Sequence, residues 1–313
     1  MVVYSGKTAA DFIRGQGIDA ASLVSEPSPR VSGGEMKGAA LWYFRSWLSF
    51  RSDVPRIQTL VRDTNPDLVV CDEEFSGMEA ARSAGKRRAF LSDELELGFA
   101  RSWPARMLER RVYGWYRRLQ AEVDLLIVPE PGEDKGNERH IGPIVREARE
   151  GRDEVKRKYG LPEGRMVLLS LSGSGLGGFL VTPAVKAVKD ASLPGIFLAI
   201  TGNRGKPVRS DGVFDLGLVP DNESLVAAAD LVISTAGKST IDEARAAGSP
   251  LVVIPIKNHA EQERNAAALG FAHRDVFRLA ELVRERIGTR SSPVASGGAK
   301  EAADLILSLA GKG

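Results

Sequence analysis

Residues 230–243 read DLVISTAGKSTIDE, and the stretch Gly237-Lys238-Ser239 inside them has two readings. As the end of a phosphate-wrapping loop it would need a glycine five residues before Gly237. That position is Val232, inside an apolar run. A β-branched residue is shut out of the φ > 0 conformations such a loop requires. What remains is a buried strand ending near Ile233, a tight turn through Gly237, and a helix starting near Ser239. The N-terminus of that helix offers unpaired N–H groups to an anion.

The same alternation of β-branched runs and helical patterns extends both ways along the chain. It is the mark of a parallel sheet covered on both faces. The first half holds VVYS (2–5), DLVVC (67–71), RRAFL (87–91) and DLLIVP (124–129). The second holds MVLLSLS (166–172), GIFLAIT (195–201), DLVIS (230–234) and PLVVIPI (250–256). Helices are predicted between them, over 182–190, 222–229 and 239–247 among others. The charged stretch 142–164 opens with Gly-Pro, which places a domain boundary near Pro143. The expected class is α/β: two Rossmann-like, doubly wound domains, 1–142 and 143–313, facing across a cleft. The last helix can return to the first domain.

The 313 residues are 43% apolar and 27% charged, with a formal net charge of +2. This describes a globular chain without the electrostatic footprint of a nucleic-acid binder. Cys71 is the single cysteine, so no intramolecular disulfide forms and a reducing, cytoplasmic setting is expected. It ends a strand-like run and reads as a small buried residue. His140, His259 and His273 lack metal-ligand spacing. There is no signal-peptide pattern, and the apolar runs are shorter than a membrane span.

Ligands of doubly wound sheets bind beyond the carboxyl ends of the strands. After strand 166–172, Gly173, Gly175 and Gly178 fit G-x-G-x-x-G. A nicotinamide site would also want an acid closing the next strand. That strand ends AITGNRG, where Arg204 suits a 2′-phosphate instead, so an NADP-dependent reductase stays an alternative. So does a plain glycine-rich turn packed on the sheet. Ser172 and Ser174, beside bare N–H groups, suit a diphosphate. After strand 230–234, Ser239 and Glu243 lie four apart and share a helix face. A carboxylate at Glu243 can accept hydrogen bonds from both hydroxyls of a ribose, or be a solvated helix residue. After strand 250–256 come His259, Gln262 and Asn265; the two amides, three apart, suit sugar hydroxyls or cap loops.

Taken together, DLVISTAGKSTIDEARAAGSPLVVIPI followed by HAEQERNA resembles the nucleotide-sugar signature of glycosyltransferase family 28. Glycine turn, Glu, Pro-bounded strand and Gln-x-x-Asn recur in order; the likeness is clear over 160–270 and weaker before it. The resemblance implies a GT-B fold and inverting sugar transfer with no tightly bound metal or cofactor. It implies that Ser172, Gly173, Ser174 and Gly175 contact the donor diphosphate. The turn Ala236, Gly237, Lys238 and Ser239 would line the donor site, with Glu243 on the ribose. Glu261 and Gln262 would take the donor sugar, with His259 and Asn265 in the same binding set.

The family pattern starts with a strand and a glycine-rich loop ahead of the segment that VVYSGKTAADFIRGQGID resembles. A βα unit of roughly 25–30 residues is therefore expected to be missing, leaving the N-terminal domain incomplete. The remaining base candidates are Asp72, Glu73, Glu74, Asp93 and Glu94. Of these, Asp93 in FLSDE faces the expected cleft and could deprotonate an acceptor hydroxyl, or serve as a helix N-cap.

All four tryptophans fall in the first half, and RSWPARMLERRVYGWYRR (101–118) holds six arginines and one acid. Leu108, Val112, Trp115 and Leu119 form a core-facing stripe. Packing plus a solvated basic face explains most of this. The sharper reading is a shallow membrane contact by 40–51 and 101–118. The sequence thus points to transfer of a sugar, with N-acetylglucosamine as the candidate, from a UDP-sugar to a hydroxyl or lipid-phosphate acceptor, peripheral on the inner membrane face. The other alternative is a non-catalytic nucleotide-sugar-binding subunit that needs a partner chain.

Overall fold

The structure, a computed structural model, describes residues 2–24, 28–93, 103–171, 175–205 and 207–311. It divides into two compact units. One comprises Met1–Pro29, Gly38–Pro143 and Gly297–Gly313; the other comprises Arg30–Lys37 and Ile144–Ser296.

The first unit opens with β1 (Val3–Gly6), α1 (Lys7–Gly15) and β2 (Ala20–Val24), the two strands pairing in parallel. The hairpin β3 (Arg30–Ser32) and β4 (Glu35–Lys37) belongs to the second unit. Next comes α2 (Ala39–Thr64), a helix of 26 residues that runs through Pro55. The aromatic and basic run 40–51 is thus the first half of a longer helix. The chain continues as β5 (Leu68–Asp72), α3 (Phe75–Ser83), β6 (Arg87–Leu91), α4 (Trp103–Ala121), β7 (Leu125–Val128) and β8 (Glu138–His140). These four strands form one parallel sheet in that order. Of the stripe on α4, Val112 and Leu119 are buried, and Trp115 meets Phe50 of α2 edge-on at 4.7 Å. Cys71 is buried, and burial pushes its thiol pKa up.

The second unit holds α5 (Arg152–Lys158), β9 (Arg165–Ser170), α6 (Val181–Ala191), β10 (Ile196–Thr201), β11 (Arg209–Ser210), β12 (Val213–Gly217), α7 (Asn222–Ala228), β13 (Leu231–Ser234), α8 (Lys238–Ala247), β14 (Leu251–Val253), α9 (Ala260–Ala268) and α10 (Leu279–Arg286). The helix α11 (Gly298–Leu309) packs on β7 in the first unit. In the second unit the strand order is β11-β12-β10-β9-β13-β14, parallel apart from β11.

The apolar runs have a direct cause. Val167, Leu169, Leu198, Ile200, Leu231 and Ile233 point to the face covered by α6 and α10. Met166, Leu168, Phe197, Ala199 and Val232 point to the face covered by α5 and α7. Alternate residues enter opposite cores, so strands covered on both sides are apolar at every position. From β9 the chain moves to β10 and β12 on one side, then returns to β13 on the other. The loops after β9 and β13 therefore diverge at a topological switch point, where open α/β sheets place their ligands.

Candidate functional site

Helix α8 starts where the glycine turn leads it. Gly237 is its N-cap in extended conformation, and Ile241 N–H is among the first to find a helical carbonyl, that of Gly237. The earlier N–H groups at this end have no intrahelical acceptor. Lys238 forms an ion pair with Asp242 one turn on. Ser239 is exposed, and Glu243, one turn further on the same face, is only 8% exposed.

A polar cluster surrounds Glu243 at the carboxyl ends of β9, β10 and β13. Arg146 reaches Glu243 Oε1 at 3.4 Å with one guanidinium nitrogen and Glu223 Oε2 at 3.4 Å with the other. Glu223, on α7, is itself 7% exposed. Its neighbour Asn222 ties the strand ends together: Thr201 Oγ1 donates to Asn222 Oδ1 at 2.7 Å, and Asn222 Nδ2 donates to Ser170 Oγ at 3.2 Å. Asn222 also lies beside the Glu243 carboxylate and favours its charged form. Burial raises the pKa of Glu243; Arg146 opposes the shift and Glu223 adds to it. A buried carboxylate next to helix-terminal N–H groups can accept two hydroxyls from one ligand while an anion sits at the helix end.

The loop after β9 is contiguous with the loop after β13. A Cβ on Gly177 would lie 3.0 Å from Leu171 Cδ2 and 3.3 Å from Thr235 Cγ2. Gly175 is left-handed at φ 73° and lies against the Arg204 side chain. Ser172, Gly173 and Ser174 lie outside the described residues. Leu171, Gly175, Gly178, Val181, Gly202 and Arg204 line a cavity of about 390 Å³ on the β10 side of the glycine loop.

The third segment is drawn in by its side chains. His259 is the N-cap of α9, its Nδ1 accepting from Gln262 N–H. Gln262 is buried, and its Oε1 accepts from Ile256 N–H at 3.0 Å. Asn265 Nδ2 donates to Ala236 O at 3.1 Å, fastening α9 to the turn that precedes α8. Both amides therefore hold loops; the donors these bonds do not use are the Gln262 NH₂ and the second N–H of Asn265. Glu261 is partly exposed in the first turn of α9. Asp93 lies in the first unit after β6, where Ser92 Oγ donates to its carbonyl at 3.0 Å; Glu94 lies outside the described residues. Among the described residues no group of three His, Cys, Asp or Glu is placed to hold a metal ion, and no helix is long and apolar enough to cross a membrane.

Sequence reasoning missed Arg146, Asn222 and Glu223. Arg146 sits in a charged linker, and Asn222-Glu223 follows Pro220-Asp221 like an ordinary helix start. Nothing local marks them; Arg146 and Glu243 are 97 residues apart in sequence.

Residues 209–277 match the family model described as the glycosyltransferase family 28 C-terminal domain. An uncharacterized glycosyltransferase of Methanopyrus kandleri is 28% identical over 232 residues, which cover 70% of this chain and 65% of that protein. The chain thus spans just under two thirds of that relative's length. The UDP-N-acetylglucosamine–N-acetylmuramyl-(pentapeptide) pyrophosphoryl-undecaprenol N-acetylglucosamine transferase of Thermus thermophilus is 28% identical over 276 residues, 81% of this chain and 77% of that one. Among solved structures, a Streptomyces sp. SF2575 glycosyltransferase complexed with thymidine diphosphate superposes with a TM-score of 0.61 at 16% identity, over 99% of this chain and 87% of that one. The spinosyn rhamnosyltransferase SpnG gives 0.61 at 15% identity, over 98% and 85%. These likenesses show a shared GT-B fold.

Proposed function

Since the chain belongs to glycosyltransferase family 28, we propose that it transfers a sugar from a UDP-sugar, with N-acetylglucosamine as the candidate sugar. The observation that carries this reading is Glu243: a carboxylate buried one turn inside α8, at the switch point, beside a helix N-terminus that has no side-chain cap. Its two oxygens accept the ribose hydroxyls, and the first N–H groups of α8 face the diphosphate. The acceptor hydroxyl attacks the anomeric carbon in line. The bond to the UDP oxygen breaks, the configuration inverts, and the helix-terminal N–H groups stabilise the charge gathering on the leaving diphosphate. Asp93 is the carboxylate proposed to take the acceptor proton. The uridine choice is supported by the name of the Thermus thermophilus relative and by a UDP complex among the structural neighbours.

Calorimetry with UDP, thymidine diphosphate, GDP and NADPH tests the donor. UDP is expected to bind tightest. Binding of NADPH in preference to every nucleoside diphosphate would overturn the reading.

The acceptor is proposed to be lipid-linked, met at the inner face of the membrane. Leu41, Phe44 and Leu48 on α2 and Trp103 and Met107 on α4 are exposed. Arg45, Arg106, Arg110 and Arg117 on the same two helices are exposed as well. Apolar and aromatic groups among arginines suit an anionic interface. Anionic vesicles should sediment the protein, added salt should weaken this, and Arg106→Gln/Arg110→Gln/Arg117→Gln should reduce it. Equal sedimentation with neutral and anionic vesicles would leave only a solvated face.

A further inference from the structure

The hairpin β3–β4 comes from the N-terminal part of the sequence, flanked on both sides by residues of the first unit, yet it is built into the second. Its turn is Gly33-Gly34, left-handed at both residues, φ 58° and 74°, the geometry that closes a two-residue hairpin. Gly34 is also required by contact: a Cβ there would lie 2.6 Å from the Phe179 ring and 2.8 Å from His273 Cε1. Met36 is 2% exposed. The backbone joins as well, since Met36 N–H donates to Lys257 O and Lys257 N–H donates to Gly34 O, both at 2.8 Å. Together these contacts make the hairpin a built part of the loop that follows β14.

That loop leads into His259, Glu261 and Gln262. It bends at Asn258, left-handed at φ 68°, a conformation that costs a non-glycine residue energy unless its surroundings hold it. Two carboxylates hold it. Glu263 Oε1 accepts from Asn258 N–H at 3.0 Å, and Glu35 Oε1 accepts from Asn258 Nδ2 at 2.9 Å. Glu35 is in turn fixed by Lys37 at 2.5 Å. That ammonium and Lys257 hold its carboxyl below the usual carboxylate range against a smaller opposing effect of desolvation.

With the nucleotide at the β9/β13 switch point, the β14 loop is one strand further along the same sheet edge. A group attached beyond the diphosphate on that side meets this loop. We propose that the hairpin is part of the donor-sugar subsite and that Glu35, acting through Asn258, is a positioning residue that sets recognition of the sugar but not of the nucleotide. This rests on the UDP-sugar reading above. The ligand class is a polyhydroxylated sugar, taken by groups of the 257–262 loop that Glu35 holds in register.

The test compares UDP and UDP-N-acetylglucosamine binding by calorimetry in the wild type, Glu35→Ala and Glu35→Gln. In the Ala variant the ratio of UDP-sugar to UDP affinity should fall about fivefold or more, the loss of one charge-assisted hydrogen bond. UDP affinity itself should stay within about twofold of wild type. Glu35→Gln should restore most of the ratio, because its amide oxygen still accepts from Asn258. Thermal melting of each variant reports whether the fold is intact. A wild type that binds UDP, together with an Ala variant whose affinity ratio is unchanged, overturns the hairpin assignment alone. Equal weakening of both nucleotides in a folded Ala variant does the same, since it makes Glu35 a general scaffold residue. A wild type that binds neither overturns the donor reading with it.

Discussion

Glu243→Gln should bind UDP roughly 10- to 100-fold more weakly than the wild type, and should also melt at a higher temperature near neutral pH. The affinity loss follows from replacing a charged acceptor of two hydroxyls by an amide with one acceptor oxygen, worth about 1–3 kcal/mol. The stability gain follows from the direction of the pKa shift. Burial raises the folded-state pKa of Glu243, and this exceeds the opposing effect of Arg146. Between the ordinary carboxylate range and the raised value, the folded protein then binds more protons than the unfolded chain. Stability falls as pH rises through that window, and the full cost is present above it. The amide never carries the charge, so it avoids the cost. Arg146 is 47% exposed and keeps Glu223 as a partner in the variant, so its charge stays solvated and paired. The difference in melting temperature should close as the pH is lowered below the ordinary carboxylate range. Unchanged UDP affinity would remove Glu243 from the nucleotide site. A melting difference independent of pH would mean that charge burial is not its source.

Gly202→Ala is expected to lower stability by about 2–4 kcal/mol and to reduce nucleotide binding with it. Gly202 follows β10 at φ 75°, where an L side chain is strained. A Cβ there would lie 2.3 Å from the carbonyl oxygen of Leu171. Nothing flexible can yield, because both ends are fastened by backbone bonds: Leu171 N–H to Thr201 O at 2.9 Å and Gly202 N–H to Gly217 O at 2.7 Å. Relief must come from parting the ends of β9 and β10, which carry Ser170 and Thr201 of the site's polar cluster. The control is Gly205→Ala. Its Cβ would meet only the Asn203 side-chain oxygen, at 3.1 Å, so its effect should stay within about 0.5 kcal/mol. Denaturant unfolding of the pair measures both. Equal stability in the two variants would show that the β9–β10 junction gives way more easily than its hydrogen bonds imply.

The second unit was legible in the sequence for a physical reason. Strands β9, β10 and β13 are covered on both faces, so MVLLSLS, GIFLAIT and DLVIS are apolar throughout and stand out from their surroundings. The turn through Gly237 and the helix after it were also legible, because Val232 ruled out the competing loop and the residue types at the turn are local. On α4, Val112, Trp115 and Leu119 declared their face by spacing alone, while Leu108 of the same stripe is half-buried. Glu243 could be picked out as a candidate for accepting hydroxyls, but whether it was buried or solvated could not.

Tertiary structure decided what depends on residues far apart in the chain. Glu243 is buried because Asn222 and Glu223 of α7 and Arg146 of the linker close around it, and no periodicity connects those positions. Gln262 and Asn265 read as sugar-binding amides or as loop caps; the fold uses the Gln262 oxygen on Ile256 and the Asn265 nitrogen on Ala236. The hairpin at Arg30–Lys37 is the clearest case. Its sequence shows a Gly-Gly turn and little else. It joins the second unit through backbone bonds to Lys257 and a side-chain bond from Asn258 to Glu35, 223 residues away. Periodicity reports which face of an element is buried. It carries no record of which distant segment does the burying, because that depends on contacts formed only once the chain has closed on itself.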